Sequence, residues 1–216
     1  MNVTGSGAVR PGKILVVCDR NVCASPYLER LLISQLADTE IEISSAGTVA
    51  MDGGPMHPSV VERLRAAGGD PAGFRARQLT AEMVRDADLV LCATRRQRGQ
   101  VVLMEPHGLH YTFAALDFAD LVVRLSSVQP RHEPAGTMDM DASVVSQVVE
   151  AAIEHRPDVH ARLKGDADIL DPYGRRKRHF ATMAKQLDAA AAPIVRAMRS
   201  AVGYDTLRSD RGFTSV

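Results

Sequence analysis

The stretch Cys18-Asp19-Arg20-Asn21-Val22-Cys23-Ala24-Ser25-Pro26 concentrates the chemistry of this chain. It opens on a thiol, carries a hydroxyl at Ser25 and closes on a proline. An apolar run from Lys13 to Val17 leads in, and a helical pattern from Pro26 to Leu32 leads out. Cys18 therefore sits where a strand ends and a loop wraps towards a helix N-terminus. Backbone N–H groups of residues 19 to 25, converging ahead of a helix, form a nest for a tetrahedral dianion. The same positive end lowers a thiol pKa, and the thiolate is the competent nucleophile. The plainer reading is a buried cysteine that closes a strand.

Elements must hold these residues in place. Lys13 to Val17 reads as a short buried parallel strand. A helix is expected from Ser25 to Ala37, with Ser25 as N-cap and Pro26 as the first helical residue. Glu42 to Gly47 is a second strand ending in a small-residue turn. A helix over His57 to Asp70 is stopped by Gly68-Gly69. Ala87 to Thr94 gives a third buried strand, followed by a basic helix from Arg95 to Leu103. His110 to Phe113 offers a fourth strand, and Ala114 to Leu125 an amphipathic helix. From Ser126 to Gly136 the chain turns polar and proline-bearing, as in a surface excursion. Helices are expected again at Ala142 to Glu154 and, Ala-rich, at Phe180 to Val202. Alternating strands and helices define an α/β single domain in three layers, about four parallel strands with helices on both faces. Its boundaries are expected as a flexible tail over 1–12, a domain over 13–203 with an insertion around 105–165, and a second tail over 204–216.

The loop resembles that of the low-molecular-weight protein tyrosine phosphatase family, which runs Cys, five residues, Arg, Ser, Pro. Cys18, Asn21, Cys23, Ser25 and Pro26 fall in register with it. Further matches follow in the family's order: Ser44 to Thr48, Arg75 to Thr80, Ala87 to Cys92, and Asp171-Pro172-Tyr173-Gly174. The resemblance implies that Cys18 attacks phosphorus to form a phosphocysteine. It implies that Asp171 protonates the leaving oxygen and then helps activate water. Ser25 would hydrogen-bond the thiolate, Asn21 and Ser45 would hold the loop's shape, and Tyr173 would flank the cleft. Cys23 matches a neighbouring cysteine that pairs reversibly with the nucleophile in the family. Read alone, Asp171 is a turn-forming Asp-Pro.

The departures gather at the same place. Ala24 stands where the family has its loop arginine, which grips two phosphoryl oxygens as a bidentate pair. Losing one preorganised donor to a developing charge costs roughly 3–4 kcal/mol, on the order of 10²–10³ in rate. Arg20 replaces a glycine; a side chain at mid-loop is expected to point outward, and the change strains the loop if that position needs glycine's backbone. Phe74 lies where a histidine commonly braces the loop asparagine. Met51 takes the place of an aromatic on the substrate wall. Asp19 adds a negative charge beside the thiolate, opposing its ionisation. Val22 completes the loop without a chemical group.

Bulk composition narrows the field. The chain has 216 residues, with 26 basic balanced by 26 acidic side chains, so no global field points to nucleic acid or a membrane. Three cysteines are too few and too odd in number for a disulfide framework. No apolar run approaches a membrane span, the N-terminus lacks a signal peptide's apolar core, and the protein is expected in the cytoplasm. Seven histidines show no ligand spacing, so neither metal nor cofactor is expected. Arg95, Arg96 and Arg98 read as an exposed helix face, and Gly174 to Phe180 as a basic run beside the acid-bearing loop. Three functions stay open: a weakened hydrolase for phosphotyrosine or a small phosphate ester; a non-catalytic module holding a phosphorylated or acidic partner; and a thiol-redox protein using Cys18 and Cys23, like the arsenate reductases of this fold. Oligomeric state is left open.

Overall fold

Cys18 ends the first strand of a parallel sheet, and the strand order explains why a crevice forms there. In the computed structural model, which describes residues 10–125, 142–154 and 168–203, β1 (Lys13–Cys18), β2 (Glu42–Gly47), β3 (Leu89–Cys92) and β4 (Thr112–Ala114) run in the order β2-β1-β3-β4. All three pairings are parallel. The chain leaves β1 to one side to make β2, then returns to the other side to make β3. That reversal is the topological switch point of an open α/β sheet, and it opens beyond the C-terminal end of β1.

Alternation along β1 builds two cores. Ile14, Val16 and Cys18 face a large cluster closed by α1 (Ala24–Gln35), α2 (Pro58–Ala66), α5 (Ala115–Leu125), α6 (Val144–Glu154) and α7 (Lys177–Ala201). Leu15 and Val17 face a smaller one that includes Val84 of α3 (Ala81–Arg85) and Val101 of α4 (Arg95–Met104). With both faces covered, the strands read as apolar runs. Burying each such side chain contributes about 1.5–3 kcal/mol. The result is the three-layer α/β domain that the sequence pattern implies.

Several boundaries differ from the sequence reading, each for a local reason. Helix α1 begins one residue before Ser25, and its N-cap is Cys23. Ser25 does not cap because its hydroxyl is spent on Cys18 and Asn21. Helix α7 starts at Lys177, three residues before Phe180. Two short elements carry too little periodicity to be seen in sequence: α3, capped by Thr80, and a 3₁₀ turn over Pro106–Leu109. Arg10 to Gly12 are tied down, Arg10 by an ion pair to Asp88 and Gly12 through its carbonyl to Glu42 N–H. The expected excursion at 126–136 and the outer parts of both tails lie outside the described residues.

Candidate active site

The loop from Cys18 to Ala24 is shaped by one left-handed residue and a buried polar network. Asn21 has φ 53°, a conformation asparagine tolerates better than most residues. Arg20 is not in that region, so the position does not need glycine's left-handed backbone and the condition for strain is not met. Asn21 Nδ2 donates to Ser25 Oγ at 2.9 Å and to Ser45 Oγ at 2.7 Å, while its Oδ1 accepts the Arg77 N–H at 2.8 Å. Ser45 donates in turn to the buried Glu29 carboxylate. Both Asn21 amide protons and the Ser45 proton are thus committed, which leaves the Ser25 hydroxyl proton free to point at Cys18 Sγ, 2.9 Å away. Gly47, at the end of β2, lets the loop pack close: a Cβ there would lie 2.5 Å from the Asp19 carbonyl oxygen.

Backbone N–H groups complete the nest. Those of Asn21 and Ser25 favour the Cys18 thiolate. Among the described residues, none of the N–H groups of residues 19 to 23 is taken by a backbone or side-chain oxygen. The thiol itself behaves differently from the expectation. Burial pushes the Cys18 pKa up, and the Ser25 hydroxyl and the two N–H groups only partly oppose it. Cys23 is pushed up to about 12, first by burial and then by the charges of Cys18 and Asp171.

Asp19 does not act as foreseen. Its carboxylate turns away onto Arg96, at 2.6 and 2.8 Å, with Thr48 also donating. Burial pushes its pKa up, but Gln97, Arg96 and Thr48 outweigh that and hold it below the usual carboxylate value. Arg95 and Arg96 of α4 are exposed, as the sequence implies, and Arg98 is half-buried, but all three are engaged. Arg96 anchors the loop, Arg95 pairs with Asp117 at 2.8 Å, and Arg98 donates to the Thr112 carbonyl.

The opposite wall comes from the segment ahead of α7. Arg95 N–H donates to Asp168, Ile169 N–H to the Ala93 carbonyl, and Leu170 N–H to the Gln186 side chain. These bonds set Asp171 and Tyr173 facing the loop. The enclosed space between the walls is about 20 Å³, room for a water. The loop contributes Cys18, Arg20 and Ala24 to its lining, the β3–α4 turn Thr94 and Gln97, and the far wall Asp171 and Tyr173. Ala24 is buried and brings no charge to this space.

Phe74, at the loop-bracing position, and Met51, at the cleft-wall position, both lie outside the cavity lining. Phe74 is packed in the core beneath the Arg30 guanidinium, 5.8 Å from its ring centroid, and Asn21 is braced instead by Ser25, Ser45 and the Arg77 N–H. An apolar ring cannot replace an imidazole as a hydrogen-bond brace. Met51 donates its N–H to the Arg20 carbonyl, but its side chain is exposed outside the cavity lining. Sequence reasoning missed His57, which donates its N–H to the Val22 carbonyl and stacks on Phe180 at 4.5 Å. Its signal was available, since His-Pro-Ser opens α2 as a cap. Among the described residues no group of His, Cys, Asp or Glu is placed to hold a metal, and no helix is long and apolar enough to cross a membrane.

A strand–loop–helix nest at the switch point of a doubly wound α/β sheet is a geometry suited to a tetrahedral anion. The sequence profile described as low molecular weight phosphotyrosine protein phosphatase matches residues 13–120. The probable low molecular weight protein-tyrosine-phosphatase EpsP of Ralstonia solanacearum is 39% identical over 93 residues, which is 43% of this chain and 63% of EpsP. Etp of Escherichia coli K12, of the same description, is 36% identical over 43% of this chain and 62% of its own length. The crystal structure of the Erwinia amylovora tyrosine phosphatase AmsI superposes with a TM-score of 0.60 at 25% identity, over 91% of this chain and 97% of that one. The arginine phosphatase YwlE of Geobacillus stearothermophilus shares the fold at a TM-score of 0.61 and 21% identity, over 95% of this chain and all of that one. The chain belongs to the low-molecular-weight protein-tyrosine-phosphatase family. Its match spans less than two thirds of the length of these curated relatives.

Proposed function

We propose that this protein takes a phosphate monoester of the phosphotyrosine type at the Cys18 loop and hydrolyses it slowly. The observation that carries the reading is a thiol and a carboxyl group on facing walls of one small space, beside N–H groups of residues 19 to 23 that no protein oxygen takes. In the first step the Cys18 thiol gives up its proton, Sγ bonds to phosphorus as the ester P–O bond breaks, and Asp171 takes that proton and passes it to the leaving oxygen. In the second, water attacks phosphorus and passes a proton back to Asp171. The P–S bond then breaks, releasing inorganic phosphate and the thiolate, which the Ser25 hydroxyl stabilises. Slowness follows from Ala24 and from the raised thiol pKa. Position 24 holds no preorganised cation against the developing charge, and burial raises the Cys18 pKa, which disfavours the thiolate.

The same two features support a second reading, a non-catalytic module that holds a phosphorylated partner in the nest. A thiol-redox role draws less support, since Cys18 and Cys23 are both buried and burial raises both thiols. Turnover of a generic aryl phosphate by the parent and by Ala24→Arg separates these readings. The substitution should raise the rate about 10²-fold or more, and Cys18→Ser in the same background should abolish the gain. An Ala24→Arg variant that binds phosphate but stays inert would sink the hydrolase reading and leave the binding module.

A further inference from the structure

We infer that Arg20 is the cation this site brings to a phosphoryl group, delivered from the mouth of the cleft, with Asp171 as its resting partner until the ligand arrives. The inference rests on the phosphate-monoester reading and deepens it. Among the described residues lining the space above Cys18, Arg20 is the only basic one. Its guanidinium does not point away into solvent. It crosses to the far wall, where Nη1 lies 3.4 Å from Asp171 Oδ2 and the group sits 4.5 Å above the Tyr173 ring centroid.

The two arginines that open α4 are already held. Arg96 is held by Asp19 at 2.6 Å and Arg95 by Asp117 at 2.8 Å, both at hydrogen-bond distance. The Arg20 pair is longer and open to water, with the two side chains 42% and 51% exposed. Such a pair is weak and readily exchanged for a better anion. A phosphoryl dianion is a better anion, with more charge than a carboxylate and several acceptor oxygens for the guanidinium fork. Moving Arg20 onto it does two things at once. It supplies the charge-assisted donors that Ala24 cannot, and it uncovers Asp171 so that the carboxyl group can meet the leaving oxygen. It also widens a space that now admits only a water. The Tyr173 face keeps hold of the guanidinium while the carboxylate lets go. The carbonyl of Arg20, pinned by the Met51 N–H, fixes the base about which the side chain turns.

The test uses inorganic phosphate and the full chain, with affinity read by calorimetry and by protection of Cys18 from iodoacetamide. Arg20→Ala should weaken phosphate binding by about tenfold or more, and Arg20→Lys should recover part of it. Asp171→Asn removes the competing charge and should tighten phosphate binding several-fold, a gain that disappears when Arg20→Ala is added. A purely structural role for Arg20 predicts that the gain persists in the double variant, because removing a negative charge beside an anion site tightens binding by itself. Both side chains are exposed, so neither change threatens the fold. If Arg20→Ala binds phosphate as tightly as the parent or more so, Arg20 is a plug; the inference falls and the phosphate reading stands. If neither the parent nor Ala24→Arg binds phosphate or shields Cys18, the phosphate reading falls and takes the inference with it.

Discussion

Cys18 is pulled in two directions by groups that each have a clear physical effect. Burial favours the neutral thiol, while the Ser25 hydroxyl and the N–H groups of Asn21 and Ser25 favour the thiolate, and burial wins. A thiol whose pKa is raised on folding holds its proton through neutral pH and gives it up only above its ordinary value of 9.0. Alkylation of Cys18 by iodoacetamide should therefore accelerate with pH into the alkaline range and show no plateau near pH 7. A plateau there would mean that the loop ionises the thiol in spite of its burial. Asn21 offers a second check at this scale. Asn21→Ala removes donors and an acceptor from a buried network and places alanine at a positive φ. The cost should be about 2–4 kcal/mol, read as a lowered denaturant midpoint. Asn21→Gly, which tolerates the backbone, should lose less. Cys18, Asn21 and Ala24 could be picked out from one line of sequence because they sit within one loop. Phe74 and Asp19 could not be placed so, since their surroundings come from distant segments: Arg30 lies over one and Arg96 grips the other.

The helices that flank the cleft illustrate how far local rules reach. Thr94 and Gln97 form a reciprocal capping box at the start of α4, and the pattern Thr-x-x-Gln announces it in the sequence. Ser25 looks like a cap by the same rules but bonds Cys18 and Asn21 instead, so tertiary hydrogen bonds override the local preference. Helix α7 breaks the rules in a more informative way. Its N-cap, Arg176, makes no side-chain capping bond, and Lys177 and Arg178 follow in the first turn, against the helix dipole. Arg176→Asp should cap the helix and soften the repulsion, stabilising the protein by about 0.5–2 kcal/mol. A raised melting temperature would show that the basic start of α7 is maintained at the expense of stability. An unchanged or lowered one would mean that the exposed arginines already make compensating contacts. Gly68-Gly69 and the apolar strands needed no such correction, because turn chemistry and burial agree there.

At the level of the whole molecule, the site is assembled from segments that the sheet topology alone brings together. β1 supplies Cys18, the β3–α4 turn supplies Thr94 and Gln97, and a segment 151 positions beyond Arg20 supplies Asp171. The alternation of strands and helices made the parallel sheet legible, and the switch-point rule placed the crevice at Cys18. Nothing in local sequence could show that Arg20 reaches Asp171, or that Asp168 caps the start of α4, because both depend on where the returning chain lands. Gln186 is the side chain of α7 that fixes this landing, accepting from Leu170 N–H and donating to the Asp168 carbonyl. It lies outside the cavity lining, so its replacement tests placement rather than chemistry. Gln186→Leu, made in the Ala24→Arg background, should let Asp171 drift from the leaving oxygen while leaving Cys18 and the nest in place. Poor leaving groups need the proton and good ones do not. Turnover of phenyl phosphate should thus fall about tenfold or more, and turnover of 2,4-dinitrophenyl phosphate should change little. An equal loss with both esters would show that Gln186 supports the loop itself, and that Asp171 is held in position by the Asp168 and Ile169 bonds without it.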